Sequence, residues 1–184
     1  MTAARILTVR QPWAWAVIHG GKTVENRVRN IAGDYRGPVL IHAAKAMPTP
    51  DEWNGAGDVI ASITGNRPLI VPPSQLGAII GVVDLVDVHR PLWDYTCDGG
   101  HAVCSPWGEV DGWPYHLVFE NPRALVEPIP YRGALGLRKT DFFITGNEWL
   151  GQYVTPGPKH GACTPYGCPP SCYSEPVGRL VATS

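Results

Sequence analysis

Gly20-Gly21-Lys22-Thr23-Val24-Glu25-Asn26-Arg27 gathers an amine, a hydroxyl, a carboxylate and a guanidinium into six residues behind two glycines. Glycines let a backbone approach a ligand closely, and the residues behind them offer it donors, an acid and a base. The stretch follows a helical run, Gln11 to Ile18, and leads into an extended segment. Ala16-x4-Gly21-Lys22-Thr23 formally fits a relaxed phosphate loop. That loop must follow a strand and open a helix, so that its amides point at phosphate. Here the order is helix, loop, strand, which argues against a nucleoside-triphosphatase.

Outward from this loop, the elements are short. Arg5 to Val9 reads as a strand. Pro12 suits the first turn of a helix that carries Trp13, Ala16 and Val17 at helical spacing and ends at Gly20-Gly21. Val24 to Arg29 reads as extended, Asp34 to Gly37 as a turn, and Pro38 to Ala43 as a buried strand. His42 closes that apolar run and reads as a satisfied core histidine rather than a ligand contact. Residues 50–65 read as a helix with Asp51 and Glu52 in its first turn, where they complement the dipole. Ala78 to Val88 is the strongest strand, with Gly81 marking a bulge or a close backbone approach. Tyr115 to Glu120 is another strand, broken at Asn121-Pro122-Arg123. Ala124 to Ile129 and Gly133 to Leu137 read as closing strands, and Asp141 to Leu150 as a terminal helix. From Gly151 the chain reads as a tail rich in Pro, Gly and Cys. With 21 Gly and 19 Pro in 184 residues and no internal repeat, the expected fold is α+β: a small closed mixed β-barrel with a few short helices. The expected division is a domain over 1–138 and a helix plus tail over 139–184.

The net charge is −1, yet residues 1–45 hold seven Lys/Arg against two Asp/Glu, and residues 46–120 hold two against ten. A basic patch around Arg10, Lys22, Arg27, Arg29, Arg36 and Lys45 favours an anionic partner such as a nucleotide or an RNA backbone. An isoelectric point near 6.6 argues against massive non-specific binding to duplex DNA. No run of about 18 apolar residues and no apolar signal core is present, so no membrane partner and a cytoplasmic location are expected.

The five cysteines are Cys97, Cys104, Cys163, Cys168 and Cys172. His160-x2-Cys163-x4-Cys168-x3-Cys172 would suit tetrahedral zinc, and Cys97-x3-His101-x2-Cys104 offers a second set. Neither matches paired CxxC spacing, and reduced free thiols are the competing reading. No Ser-His-Asp or catalytic-cysteine spacing stands out.

Gln11-Pro12-Trp13-Ala14, Gly21 to Arg27, Tyr35-Arg36-Gly37-Pro38 to Ala43, Gly81 to Leu85, His116 to Arg123 and Arg132 to Leu137 together resemble the ASCH domain (activating signal cointegrator homology), in the family's order over residues 5–138. The resemblance implies a PUA-like β-barrel with a cleft beside the first helix, and an association with RNA. A minimal bacterial branch is similar in its glycine-lysine-threonine loop, and hydrolyses the acetyl amide of N4-acetylcytidine with a lysine, a threonine and a glutamate. Lys22 matches that lysine, whereas Glu25 stands where that branch has its threonine.

The first expectation is therefore an RNA- or nucleotide-binding module whose cleft uses Gln11, Trp13, Lys22, Thr23, Glu25, Arg27 and Arg36. The second is an amidohydrolase of a modified nucleoside, with Lys22, Thr23, Glu25 and Glu120 as its reactive groups. The third is a protein-interaction module. A lysine paired with a carboxylate is expected to hold its proton firmly.

Overall fold

The computed structural model describes residues 2–68, 72–92, 96–97, 103–109, 111–112, 115–147, 151–157 and 176–183. In chain order the elements are β1 (Thr2–Val9), α1 (Trp13–His19), β2 (Val24–Arg27), β3 (Gly37–Ala43), α2 (Pro50–Thr64), one 3-10 turn (Pro73–Gln75), β4 (Ala78–His89), β5 (Tyr115–Pro130), β6 (Leu137–Asn147), β7 (Gly151–Pro156) and β8 (Gly178–Ala182). The sheet runs β2-β5-β4-β3-β1-β6-β7-β8, and β8 pairs back onto β5. Seven strands thus close into a barrel, and β2 is added outside the closure. The barrel is mixed, because β1 and β3 are parallel while the other described pairs are antiparallel. Closure removes the free edges that an open sheet of this kind would present.

Strand β5 explains how the site is placed. One of its edges pairs with β4 along its length. The opposite edge is shared: β2 occupies Tyr115 to Val118 and β8 occupies Arg123 to Leu125. Between them Asn121 takes φ 49°, a left-handed conformation that asparagine tolerates better than most residues. The expected break at Asn121-Pro122-Arg123 is therefore a kink inside one continuous strand. Gly81, opposite, sits at a register shift between β4 and β5, and a Cβ there would lie 2.5 Å from the Arg123 carbonyl oxygen. The close approach read from the sequence is present.

The strand pleat divides the core into two layers. Ile6, Leu40, Ile79, Val82, Leu125, Val154 and Leu180 converge from six strands inside the barrel, with Phe142 and Ile144 of β6 against them. Alternate residues of the same strands, including Leu7, Val39, Ile41, Ile80 and Val83, face α1 and pack on Ala14, Val17 and Ile18. Each fully buried Leu or Ile of this set contributes about 1.5–3 kcal/mol relative to exposure. Helix α2 is held by a capping box: the Glu52 amide donates to Thr49 Oγ1 at 3.3 Å, and the Thr49 amide donates to Glu52 Oε2 at 2.8 Å. Gly65 ends it in a left-handed cap. A cap of this type is worth about 1 kcal/mol.

Three readings are corrected. The helix expected from Asp141 to Leu150 is strand through Asn147, and residues 148–150 lie outside the described set. Phe142-Phe143-Ile144-Thr145 are strong strand formers, and they pair with β1 on one side and β7 on the other. Residues 133–136 are not strand, because β6 begins at Leu137 and Gly133 lies against the His42 ring. The stretch read as tail supplies β7 and β8, the strands that complete the closure. No helix is long and apolar enough to cross a membrane among the described residues.

Candidate functional site

The Gly21–Arg27 stretch joins α1 to β2. Gly21 sits at φ 67°, and the Lys22 amide donates back to the Ala16 carbonyl at 3.0 Å. This turn aims the Lys22 side chain inward rather than at water. Lys22 is only 5 % exposed. Its ammonium lies 5.6 Å from the Trp13 ring and 5.7 Å from the Trp107 ring, within cation–π range of both. It donates to the Val24 carbonyl and stands 3.7 Å from Glu25 Oε2. The other carboxylate oxygen, Glu25 Oε1, pairs with Arg27 Nη2 at 3.0 Å. Arg27 also donates to the Thr8 carbonyl at 3.3 Å.

Burial pulls the Lys22 pKa below its ordinary value; Glu25 and Glu109 pull the other way, and Arg27 adds to the depression. Glu25 does act in the expected sense, but the net direction is downward. Desolvation of the ammonium outweighs one carboxylate that it shares with a second cation.

Trp13, Lys22, Glu25 and Asn26 line a cavity of about 160 Å³ together with Val59 and Ile63 of α2 and Pro106, Trp107 and Glu109. The 103–109 segment forms one wall, and β2 holds it. Asn26 Nδ2 donates to the Trp107 carbonyl at 2.9 Å, and the Glu109 amide donates to Asn26 Oδ1 at 3.1 Å. Thr23 Oγ1 and Ser105 Oγ are 2.9 Å apart. Behind this wall Trp107 packs with Ala16, Val24 and Ile60. The indole is thus anchored from below while its neighbourhood stays open to the cavity.

The residues expected at the site do not all meet. Lys22, Glu25 and Trp13 share the first cavity. Thr23 and Glu120 line a second one, about 280 Å³, and Lys22 borders both. Gln11 is buried, and its Oε1 accepts from the Trp15 amide at 3.0 Å, which ties it to the start of α1. Arg27 reaches the site through Glu25. Arg36 is occupied elsewhere: it donates to the Gly33 and Tyr35 carbonyls and stands 3.7 Å from Asp87. His42 is the satisfied core histidine expected, with Nε2 3.0 Å from the Tyr131 carbonyl and Nδ1 3.2 Å from Thr8 Oγ1. Asn26, Ser105, Trp107 and Glu109 were not expected. Trp107 and Glu109 are some 80 residues from the loop in sequence, and only the pairing of β2 with β5 brings their segment over it.

A cluster of soft ligands adjoins the same wall. His89, Cys97, Cys104 and His116 each offer one ligand atom, all within 4.8 Å of one another. Burial and the neighbouring Cys97 thiol push the Cys104 thiol up to about 12. The zinc ligands expected in the tail, His160, Cys163, Cys168 and Cys172, lie outside the described residues, as does His101.

A closed mixed barrel with one helix laid beside a polar loop is the architecture of the PUA-like superfamily. The ASCH domain profile matches residues 7–112, more than half of the chain, and the chain belongs to that family. The matched stretch contains the loop, both tryptophans and both cysteines of the described cluster.

Proposed function

We propose that this ASCH domain binds single-stranded RNA or a nucleotide by taking one base into the cavity lined by Trp13, Lys22, Glu25 and Trp107. The observation that carries this reading is the buried Lys22 ammonium beside Glu25 at the floor of an aromatic cavity. A solvated turn would leave that amine in water. Here the fold tolerates a desolvated charge next to open space, an arrangement that favours a ligand which replaces the lost solvent. Indole faces stack bases of any sequence, and each stacked base is worth about 1–3 kcal/mol. Lys22 is a donor and Glu25 an acceptor, side by side. That pair complements a base edge with an acceptor next to an amino group, as in cytosine or adenine. Asn26 is spent on holding the wall, and Arg27 is spent on Glu25 and the Thr8 carbonyl.

Fluorescence-anisotropy titration with short oligo(C), oligo(A) and oligo(U) tests this. Oligo(C) or oligo(A) should bind at least several-fold more tightly than oligo(U). Lys22→Met should remove that preference. Equal affinities for all three, unchanged by Lys22→Met, would refute the base-in-cavity reading.

The lowered pKa of Lys22 favours one second reading: an amidohydrolase acting on an acylated nucleoside such as N4-acetylcytidine. A buried lysine that holds its proton less firmly than usual is the better base towards water or a hydroxyl. Glu25 then stabilises the ammonium that forms. Release of cytidine from N4-acetylcytidine by the wild type, and not by Lys22→Met, would establish this activity. No turnover across a panel of acylated nucleosides that still bind would assign the cavity to recognition alone.

A further inference from the structure

We propose that His89, Cys97, Cys104 and His116 hold one structural zinc ion, which fastens the connection between β4 and β5 to the end of that strand pair. None of the four belongs to the cavity, and the proposal stands apart from what the cavity binds.

The backbone assembles the set before any metal is considered. His89 and His116 are register partners at the end of the β4–β5 ladder, and their rings lie 5.3 Å apart. The chain leaves β4 and folds back, with Pro91 bridged to Cys97 and the Leu92 amide bonded to the Thr96 carbonyl at 2.6 Å. That return puts Cys97 Sγ 3.6 Å from His116 Nδ1. Cys104 Sγ comes to 3.1 Å from the same nitrogen. The Cys104 amide donates to Cys97 Sγ at 3.3 Å, which draws the two cysteines together. Zinc–sulfur bonds of about 2.3 Å and zinc–nitrogen bonds of about 2.0–2.1 Å set tetrahedral ligand-to-ligand distances at roughly 3.3–3.8 Å. The described spacing brackets that range, from 3.1 and 3.6 Å between His116 Nδ1 and the two sulfurs to at most 4.8 Å across the set.

The outer contacts select the metal-binding nitrogens. His116 Nε2 is 2.8 Å from the Glu109 carbonyl oxygen, which can only accept, so that nitrogen carries the proton and Nδ1 offers its lone pair to the centre. His89 Nδ1 is 2.7 Å from Asp87 Oδ2, which places its proton there and frees Nε2. That Nε2 is buried and has no hydrogen-bond partner. A buried, unpartnered imidazole nitrogen is unfavourable, and a cation at the centre removes that penalty. Histidine ligands characteristically give their second nitrogen to a carboxylate or carbonyl in this way. Two sulfurs and two nitrogens in a compact set suit zinc, and four protein ligands leave no open position for catalysis.

The ion would also fix the cavity wall. Cys104 precedes Ser105 and Trp107, and a Cβ on Gly108 would lie 2.9 Å from His116 Cε1. The 104–109 segment is therefore pressed onto a metal ligand at one end and held by Asn26 at the other.

The test is metal analysis of the full chain, purified without chelator, with thiol mapping by mass spectrometry. Wild type should carry one zinc that is lost in Cys97→Ser and in Cys104→Ser, and His89→Asn should weaken zinc binding by at least tenfold. A variant with Cys163, Cys168 and Cys172 all changed to serine should keep that zinc. Cobalt-loaded wild type should show a tetrahedral spectrum with thiolate charge transfer, a readout that needs no variant to fold. In wild type, Cys97 and Cys104 should resist alkylation until a chelator is added, and amide exchange over 104–109 should then quicken. Zinc content unchanged in Cys97→Ser, Cys104→Ser and His89→Asn would overturn the proposal. So would wild-type Cys97 and Cys104 that alkylate at once with no metal present.

Discussion

Lys22 and His42 are both buried, both titratable and both partnered, yet their surroundings differ. His42 has each ring nitrogen within hydrogen-bond distance of a protein oxygen, and Gly133 packs so closely that a Cβ there would sit 2.4 Å from its ring. No space is left beside it for a ligand. Lys22 lies between two indoles, shares its carboxylate with Arg27, and borders two cavities. Burial lowers the pKa of both. What separates them is open volume. A buried polar group whose partners fill its surroundings contributes to the fold, while one beside open space contributes to binding.

The largest effect expected from breaking this contrast is at Glu25. Glu25→Leu leaves Lys22 and Arg27 as facing cations, one of them fully enclosed. Removing one partner of a buried pair costs about 3–5 kcal/mol. Thermal unfolding should fall by roughly 6–12 °C for a loss of about 3 kcal/mol in a chain of this size. A change of less than about 2 °C would show that the pair is solvated in solution.

Trp107→Ala comes next. It should weaken RNA or nucleotide binding by about tenfold to a hundredfold, the worth of one stacked base. Trp15→Ala, on the same helix as Trp13 but outside the cavity lining, should change binding by less than about twofold. Equal losses in the two variants would point to a general loosening of α1 rather than to stacking.

Lys22→Met sharpens the comparison because its two readouts should move in opposite directions. The preference for oligo(C) or oligo(A) over oligo(U) should be lost while the fold gains stability, about 1 kcal/mol or roughly 2–4 °C. Glu25 keeps Arg27 in that variant, so no buried charge is orphaned. The sign with pH follows from linkage. The folded pKa of Lys22 lies below the ordinary 10.5, so between those values the unfolded chain binds more protons and stability rises with pH. The advantage of Lys22→Met over wild type should therefore shrink as pH climbs toward 10.5. Differential scanning fluorimetry across that range checks it.

The smallest effect belongs to His42. Its folded pKa is below 6.5, so the native state binds fewer protons in acid. The stability it supports is complete above 6.5 and is lost as pH falls through 6.5 toward the folded value. His42→Gln should flatten the part of the acid-unfolding profile just below that pH without altering ligand affinity.

The sequence was most legible where local chemistry repeats. Val39-Leu40-Ile41 and Ile79-Ile80-Gly81-Val82-Val83 announce central strands by composition, and Gly81 announces the close approach of β5. The Lys22–Glu25 pair was visible because both partners fall in one turn. Three things were not visible. Phe142 to Thr145 favour strand, but they are only four residues inside a longer mixed run, and the pairing with β1 and β7 decides the extent of the element. β8 closes the barrel on β5 although some fifty residues separate the strands in sequence, and no local pattern carries that information. The wall of the cavity and the His89–Cys97–Cys104–His116 set depend on register. His89 and His116 become neighbours only once β4 and β5 pair, so spacing rules that look for ligands within one short loop pass over them.

The central claim is that a base enters the cavity beside Lys22. Its most direct test is a heteronuclear NMR titration of the full chain with oligo(C), following the side-chain signals of Trp13, Trp107 and Lys22 at saturation. The indole N–H resonances of Trp13 and Trp107 and the Lys22 side-chain resonances should shift together with one dissociation constant, while Trp15 and His42 stay in place. Saturable binding that shifts other surfaces and leaves Trp13, Trp107 and Lys22 unmoved would contradict it.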